Sequence, residues 1–121
     1  MQEFKKIFEN FKSLLVPYSS ELILRTDDSN NYYLDTHHVM SNKKHLFFGS
    51  AKIGKRYVAY HLMPVYVNPE LLQDITPNLK KRMQGKSCFN LVQYDSELIA
   101  ELDVLTRRGY EDYKSKGYIE N

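Results

Sequence analysis

Apolar residues recur at helical spacing at the start of this chain. Phe4, Ile7, Phe8, Phe11, Leu14 and Leu15 form one stripe, with lysines and glutamates between them. The spacing predicts an amphipathic helix that ends at Pro17. Three residues of the stripe are phenylalanines, so its inner face is suited to cover a broad apolar surface such as a sheet.

The pattern then changes to strand-like stretches. Glu21–Arg25 and Tyr32–Asp35 read as two strands of a hairpin. Asp27-Asp28-Ser29-Asn30-Asn31 between them is a turn by composition. Thr36–Lys44 is polar and reads as a loop. His45–Lys52 and Lys55–Val67 predict a second hairpin around Ile53-Gly54, with Pro64 marking an edge or bend near its end. Asn68-Pro69-Glu70 and Thr76-Pro77 each carry a helix start, so a short helix kinked or broken into a second is expected, ending at Gly85. Ser87–Gln93 reads as the last strand. Asp95 caps a final helix carrying Leu98, Ile99, Leu102, Leu105, Tyr110 and Tyr113, and fraying is expected from Gly117.

No β-helix-β unit recurs in this order, which argues against a doubly wound parallel sheet. The prediction is an α+β fold of two layers. A mostly antiparallel five-stranded sheet carries helices on one face, in the order α-β-β-β-β-α-β-α, as one domain over residues 1–121. Along Lys55–Val67, Tyr57, His61 and Met63 share one face, and Tyr60, Leu62 and Tyr66 the other. Both faces are apolar or aromatic. The one turned away from the helices is expected to meet a loop, a ligand or another chain, a homodimer included.

Length and composition narrow the class. At 121 residues with 42% hydrophobic and 26% charged residues, this is the make-up of an ordinary globular domain. No apolar run approaches the ~20 residues of a membrane span. The charged first helix does not read as a signal peptide. A single cysteine, Cys88, excludes an internal disulfide framework and fits a reducing compartment, so a cytoplasmic location is expected. Net charge is only +2, yet residues 40–90 hold nine basic residues against two acids. Such a basic middle either balances the acidic ends within one fold or attracts an anionic partner.

The run Lys55–Tyr66, the proline-marked helix through Leu79-Lys80-Lys81, and Gly85-Lys86-Ser87-Cys88-Phe89-Asn90 before an apolar helix resemble the YdhG-like domain family. This is a bacterial domain of largely unknown function, and the resemblance covers the last two thirds of the chain. It implies helices on one face of an antiparallel sheet, and it carries no established catalytic residues. Some members are likened to frataxin, which implies iron handling through an acidic ridge on the first helix. Here that helix carries Glu3 and Glu9 among Lys5, Lys6 and Lys12. Glu21, Asp27, Asp28 and Asp35 remain as an acidic strand-turn cluster, a composition shared by hard-cation sites and by ordinary turns.

Candidate chemistry is sparse. His37, His38 and His45 surround one segment without a second ligand group at zinc spacing. His61 lies mid-strand among tyrosines, as a satisfied core histidine or a polar group in a pocket. Cys88 alternates within an apolar strand and reads as a buried structural thiol. Gly85-Lys86-Ser87 runs from helix to strand, the reverse of a phosphate-binding loop. Lys80, Lys81, Arg82 and Lys86 suit a helix C-terminus, or with Tyr57, Tyr60 and Tyr66 a single-stranded nucleic acid. No acid–base pair or nucleophile–base spacing is legible. The expectation is a non-enzymatic binding or accessory domain, without cofactor or metal, that meets a small molecule or protein near Tyr57, His61, Tyr66 and Lys86. Iron handling and nucleic-acid binding are the alternatives.

Overall fold

The computed structural model describes residues 2–120. Helix α1 (Gln2–Leu15) leads through a 3-10 turn into β1 (Ile23–Asp27), β2 (Asn31–Val39), β3 (His45–Ile53) and β4 (Val58–Leu62). Then come α2 (Met63–Val67), a 3-10 turn at Pro69–Leu72, α3 (Pro77–Lys80), β5 (Met83–Gln84), β6 (Cys88–Leu91) and α4 (Ser96–Ser115). The six strands form one sheet, ordered β1-β2-β3-β4-β6-β5, with every pair antiparallel. The α+β, two-layer expectation therefore holds, with one strand more than the five expected.

Alternation along the strands builds the core. Tyr32, Leu34, Leu46, Phe48, Val58, Tyr60, Leu62, Phe89 and Leu91 point to the helical side and are buried. They meet Ile7, Phe8, Phe11 and Leu15 of α1 and Leu102, Leu105 and Tyr113 of α4. Phe11 packs on Tyr60 with ring centres 5.0 Å apart. Burying a side chain of this size contributes about 1.5–3 kcal/mol before ordering costs.

A bulge lets β3 serve this layer. Leu34 pairs with Gly49 and Asp35 with Phe47, so Phe48 is the extra residue and both Phe48 and Gly49 turn inward. A Cβ on Gly49 would stand 3.0 Å from Leu15 Cδ2 and 3.1 Å from the His61 carbonyl oxygen. Close approach of α1 to the sheet explains the glycine.

Several boundaries differ from the sequence reading. Thr36–Lys44 is not all loop, because β2 continues to Val39; Thr36 is buried and donates to the Leu46 carbonyl at 2.8 Å. Lys55–Val67 is not one strand. β4 stops at Leu62, and Pro64 opens α2, since proline suits a first helical turn and cannot donate to a ladder. Tyr66 consequently lies on a helix. The broken helix pair is present, but Lys80 ends α3. Gly85, at φ +76°, makes the tight β5–β6 turn. The end of the chain does not simply fray: Tyr118 N–H donates to the Tyr113 carbonyl and Ile119 is buried.

Candidate functional site

Among the described residues the helices pack against one face of the sheet, and the second face stays partly exposed. Tyr33, Asp35, Phe47, Ser50, Ala59, His61, Cys88 and Asn90 occupy it, and each is only half-buried. Register places them in rows. Tyr33 and His61 both pair with Ser50, His61 also pairs with Cys88, and Asp35 pairs with Phe47. The face thus reads, from one edge, as an ion pair, an aromatic stack, an imidazole, a thiol and two amides.

Each group is held by its neighbours. Arg25, the bulged residue of β1, donates to Asp35 at 3.0 Å. The Tyr33 and Phe47 rings stack with centres 4.6 Å apart, and Phe47 lies 6.3 Å from His61. The Cys88 thiol donates to Asn90 Oδ1 at 3.2 Å, and the Asn90 amide donates to Gln84 Oε1 at 2.7 Å. Burial pushes His61 below the usual imidazole range and the Cys88 thiol above the usual thiol range. At neutral pH the pair is therefore a neutral imidazole beside a protonated thiol, polar but uncharged. That state does not provide an activated nucleophile.

The four residues singled out from the sequence divide. His61 lies at the centre of the uncovered face. Tyr66 and Lys86 come together beyond the end of β4, with Lys86 Nζ 5.9 Å from the Tyr66 ring centre. Tyr57 lies in the β3–β4 turn, where its carbonyl accepts from Gly54 N–H at 2.8 Å. Five residues of β4 separate Tyr57 from Met63, a span of roughly 20 Å, so Tyr57 and the Tyr66 corner are not one site. Cys88, expected to be buried, faces the uncovered side because Phe89 takes the core position of β6.

Phe47 and Tyr33 were missed as site residues. Their signal was the doubled aromatics Tyr32-Tyr33 and Phe47-Phe48, of which one member must point away from the core in a strand.

The other candidates are dispersed. His38 packs against Tyr118 at a tilt, with ring centres 4.7 Å apart, in a cleft of about 580 Å³ shared with Glu21, His37 and Ile119. His45 Nδ1 stands 2.9 Å from the Thr36 carbonyl. In the acidic cluster, Asp27 pairs with Lys12 at 2.8 Å, Asp35 with Arg25, and Asp28 accepts from Asn30 N–H. Among the described residues no group of three or more His, Cys, Asp or Glu is placed to hold a metal. Lys43-Lys44 and Lys55-Arg56 flank opposite ends of the nine-residue β3, roughly 30 Å apart, so the basic middle does not gather into one patch. Among the described residues no helix is long and apolar enough to cross a membrane. No family profile, curated protein or solved structure matches this chain.

Proposed function

We propose that this chain is a non-enzymatic accessory domain of the cytoplasm that binds a protein partner on the uncovered face of its sheet. One observation carries the reading: an aromatic and neutral-polar layer centred on Phe47 and His61 stands at the middle of a sheet face that no helix of the described residues covers. A dry small-molecule pocket needs concavity. The broad mix of aromatic centre and polar edge instead matches the anatomy of a protein interface. The arrangement expected from the YdhG-like resemblance, with helices on one side only, supports the same reading.

Photo-crosslinking in cells tests it. A benzophenone amino acid placed at Ser50 should give an adduct of discrete mass. The same group at Ala100, exposed on α4, should not. Phe47→Asp should cut the Ser50 adduct roughly tenfold or more, as expected for a lost contact of about 2 kcal/mol. An adduct of twice the chain mass identifies the partner as a second copy. Equal yields from both positions, or none from Ser50, overturn the reading.

A further inference from the structure

We propose that His61 and Cys88 form a two-ligand site for a monovalent soft metal ion, Cu(I), on the uncovered face of the sheet. The two residues lie directly opposite each other on β4 and β6 and project to the same side. Facing residues of an antiparallel pair have Cβ atoms about 4.5–5.5 Å apart. A bridging ion with metal–sulfur and metal–nitrogen bonds of about 2.3 and 2.0 Å needs the donors no more than about 4.3 Å apart. Joining the ion takes the thiol from Asn90 Oδ1 and turns it toward the imidazole across the strand pair.

Ligand type and number select the ion. One thiolate and one imidazole are soft and borderline donors, suited to copper and zinc rather than to hard cations. Structural zinc takes four protein ligands and catalytic zinc three. No described third His, Cys, Asp or Glu joins this pair. A closed-shell Cu(I) ion is satisfied by two donors in a near-linear arrangement. The acidic residues of the β1–β2 hairpin play no part, being occupied by Lys12, Arg25 and turn contacts.

The surroundings prepare the pair. Metal binding takes the imidazole unprotonated and the sulfur as thiolate. The thiol gives up its proton to solvent when the metal–sulfur bond forms. Asn90 Oδ1, which accepts from the thiol in the free protein, orients the sulfur. Phe47 screens the imidazole side. The site stands whether or not the face also binds a partner, and its test uses the metal alone.

Anaerobic titration of the full chain with Cu(I), competed against a chromophoric Cu(I) chelator, decides the matter. One equivalent should bind, with a near-ultraviolet thiolate-to-copper band, and X-ray absorption should show one sulfur and one nitrogen donor. Cys88→Ser should abolish binding. His61→Gln should weaken it roughly tenfold or more, the scale on which metal sites respond to loss of supporting groups. Phe89→Leu, a change on the core side of the same strand, should leave affinity unaltered. Unchanged affinity in His61→Gln would show a bare thiol scavenging copper and overturn the proposal. Binding retained by Cys88→Ser, or equal weakening in Phe89→Leu, overturns it as well.

Discussion

Tyr60 shows how a polar atom is accommodated in this core. It is fully buried, and its oxygen lies 2.6 Å from Thr106 Oγ1. Thr106 donates to the Leu102 carbonyl at 2.7 Å, so the tyrosine is the donor between the two hydroxyls. Tyr60→Phe should cost about 1 kcal/mol in denaturant unfolding, because Thr106 keeps its own bond. Tyr113 is similar, donating to the Phe47 carbonyl at 2.9 Å. Burial raises the pKa of both phenols well above the ordinary tyrosine value. The folded state therefore holds protons that the unfolded chain releases near pH ~10. The stabilisation is complete below that pH and declines as pH rises beyond it. Alkaline titration should show tyrosinate absorbance from these residues appearing together with loss of circular dichroism; smooth ionisation of all tyrosines in a folded protein would contradict this. Leu102, on α4 with no exposed surface, belongs to the same core. Leu102→Ala should cost ~2–5 kcal/mol, and a loss under about 0.5 kcal/mol would refute its core placement.

At the level of elements, the contact between α2 and α4 is the tightest constraint. A Cβ on Gly109 would stand 2.8 Å from Pro64 Cβ and 3.1 Å from its Cγ. The rigid proline ring cannot yield. Gly109→Ala should lower stability by about 1–3 kcal/mol despite a helix-propensity gain of up to about 1 kcal/mol. A higher melting temperature in that variant would show that the helices separate freely. Helix α3, only four residues long, is tied to α4 in another way. Glu101 accepts from both the Thr76 N–H and hydroxyl at 2.7 Å. Thr76 also caps α3 by accepting from Leu79 N–H. Such starts were legible because proline and a capping side chain act locally. The end of β4 was not. Tyr57 to Val67 is rich in strand formers, and Pro64 there fits both a bent strand and a helix start; the Gly109 it packs against belongs to a distant segment.

On the scale of the molecule, protection should follow the sheet order. β3 and β4 are central and covered by α1, whereas β5 is a two-residue edge. Hydrogen exchange should be slowest at Ala51 and Tyr60 and fast at Gln84, with the reverse order excluding this topology. Much of this architecture could be read from residue patterns. Helical spacing marked α1 and α4, alternation marked most strands, and capping residues marked the helix starts, since each signal arises from neighbours a few positions apart. The two-layer fold followed because those stripes require one another for burial. Contacts between remote segments had to be seen in three dimensions. The bulge at Phe48 and Gly49 sits where Leu15 of α1 comes close to the sheet backbone. The pairing of His61 with Cys88 joins residues 27 positions apart through strand register. The separation of Lys43-Lys44 from Lys55-Arg56 follows from the opposite ends of β3 that they flank. Alternation assigns a side chain to one of two faces, but only the packed helices select which face is closed and which stays open.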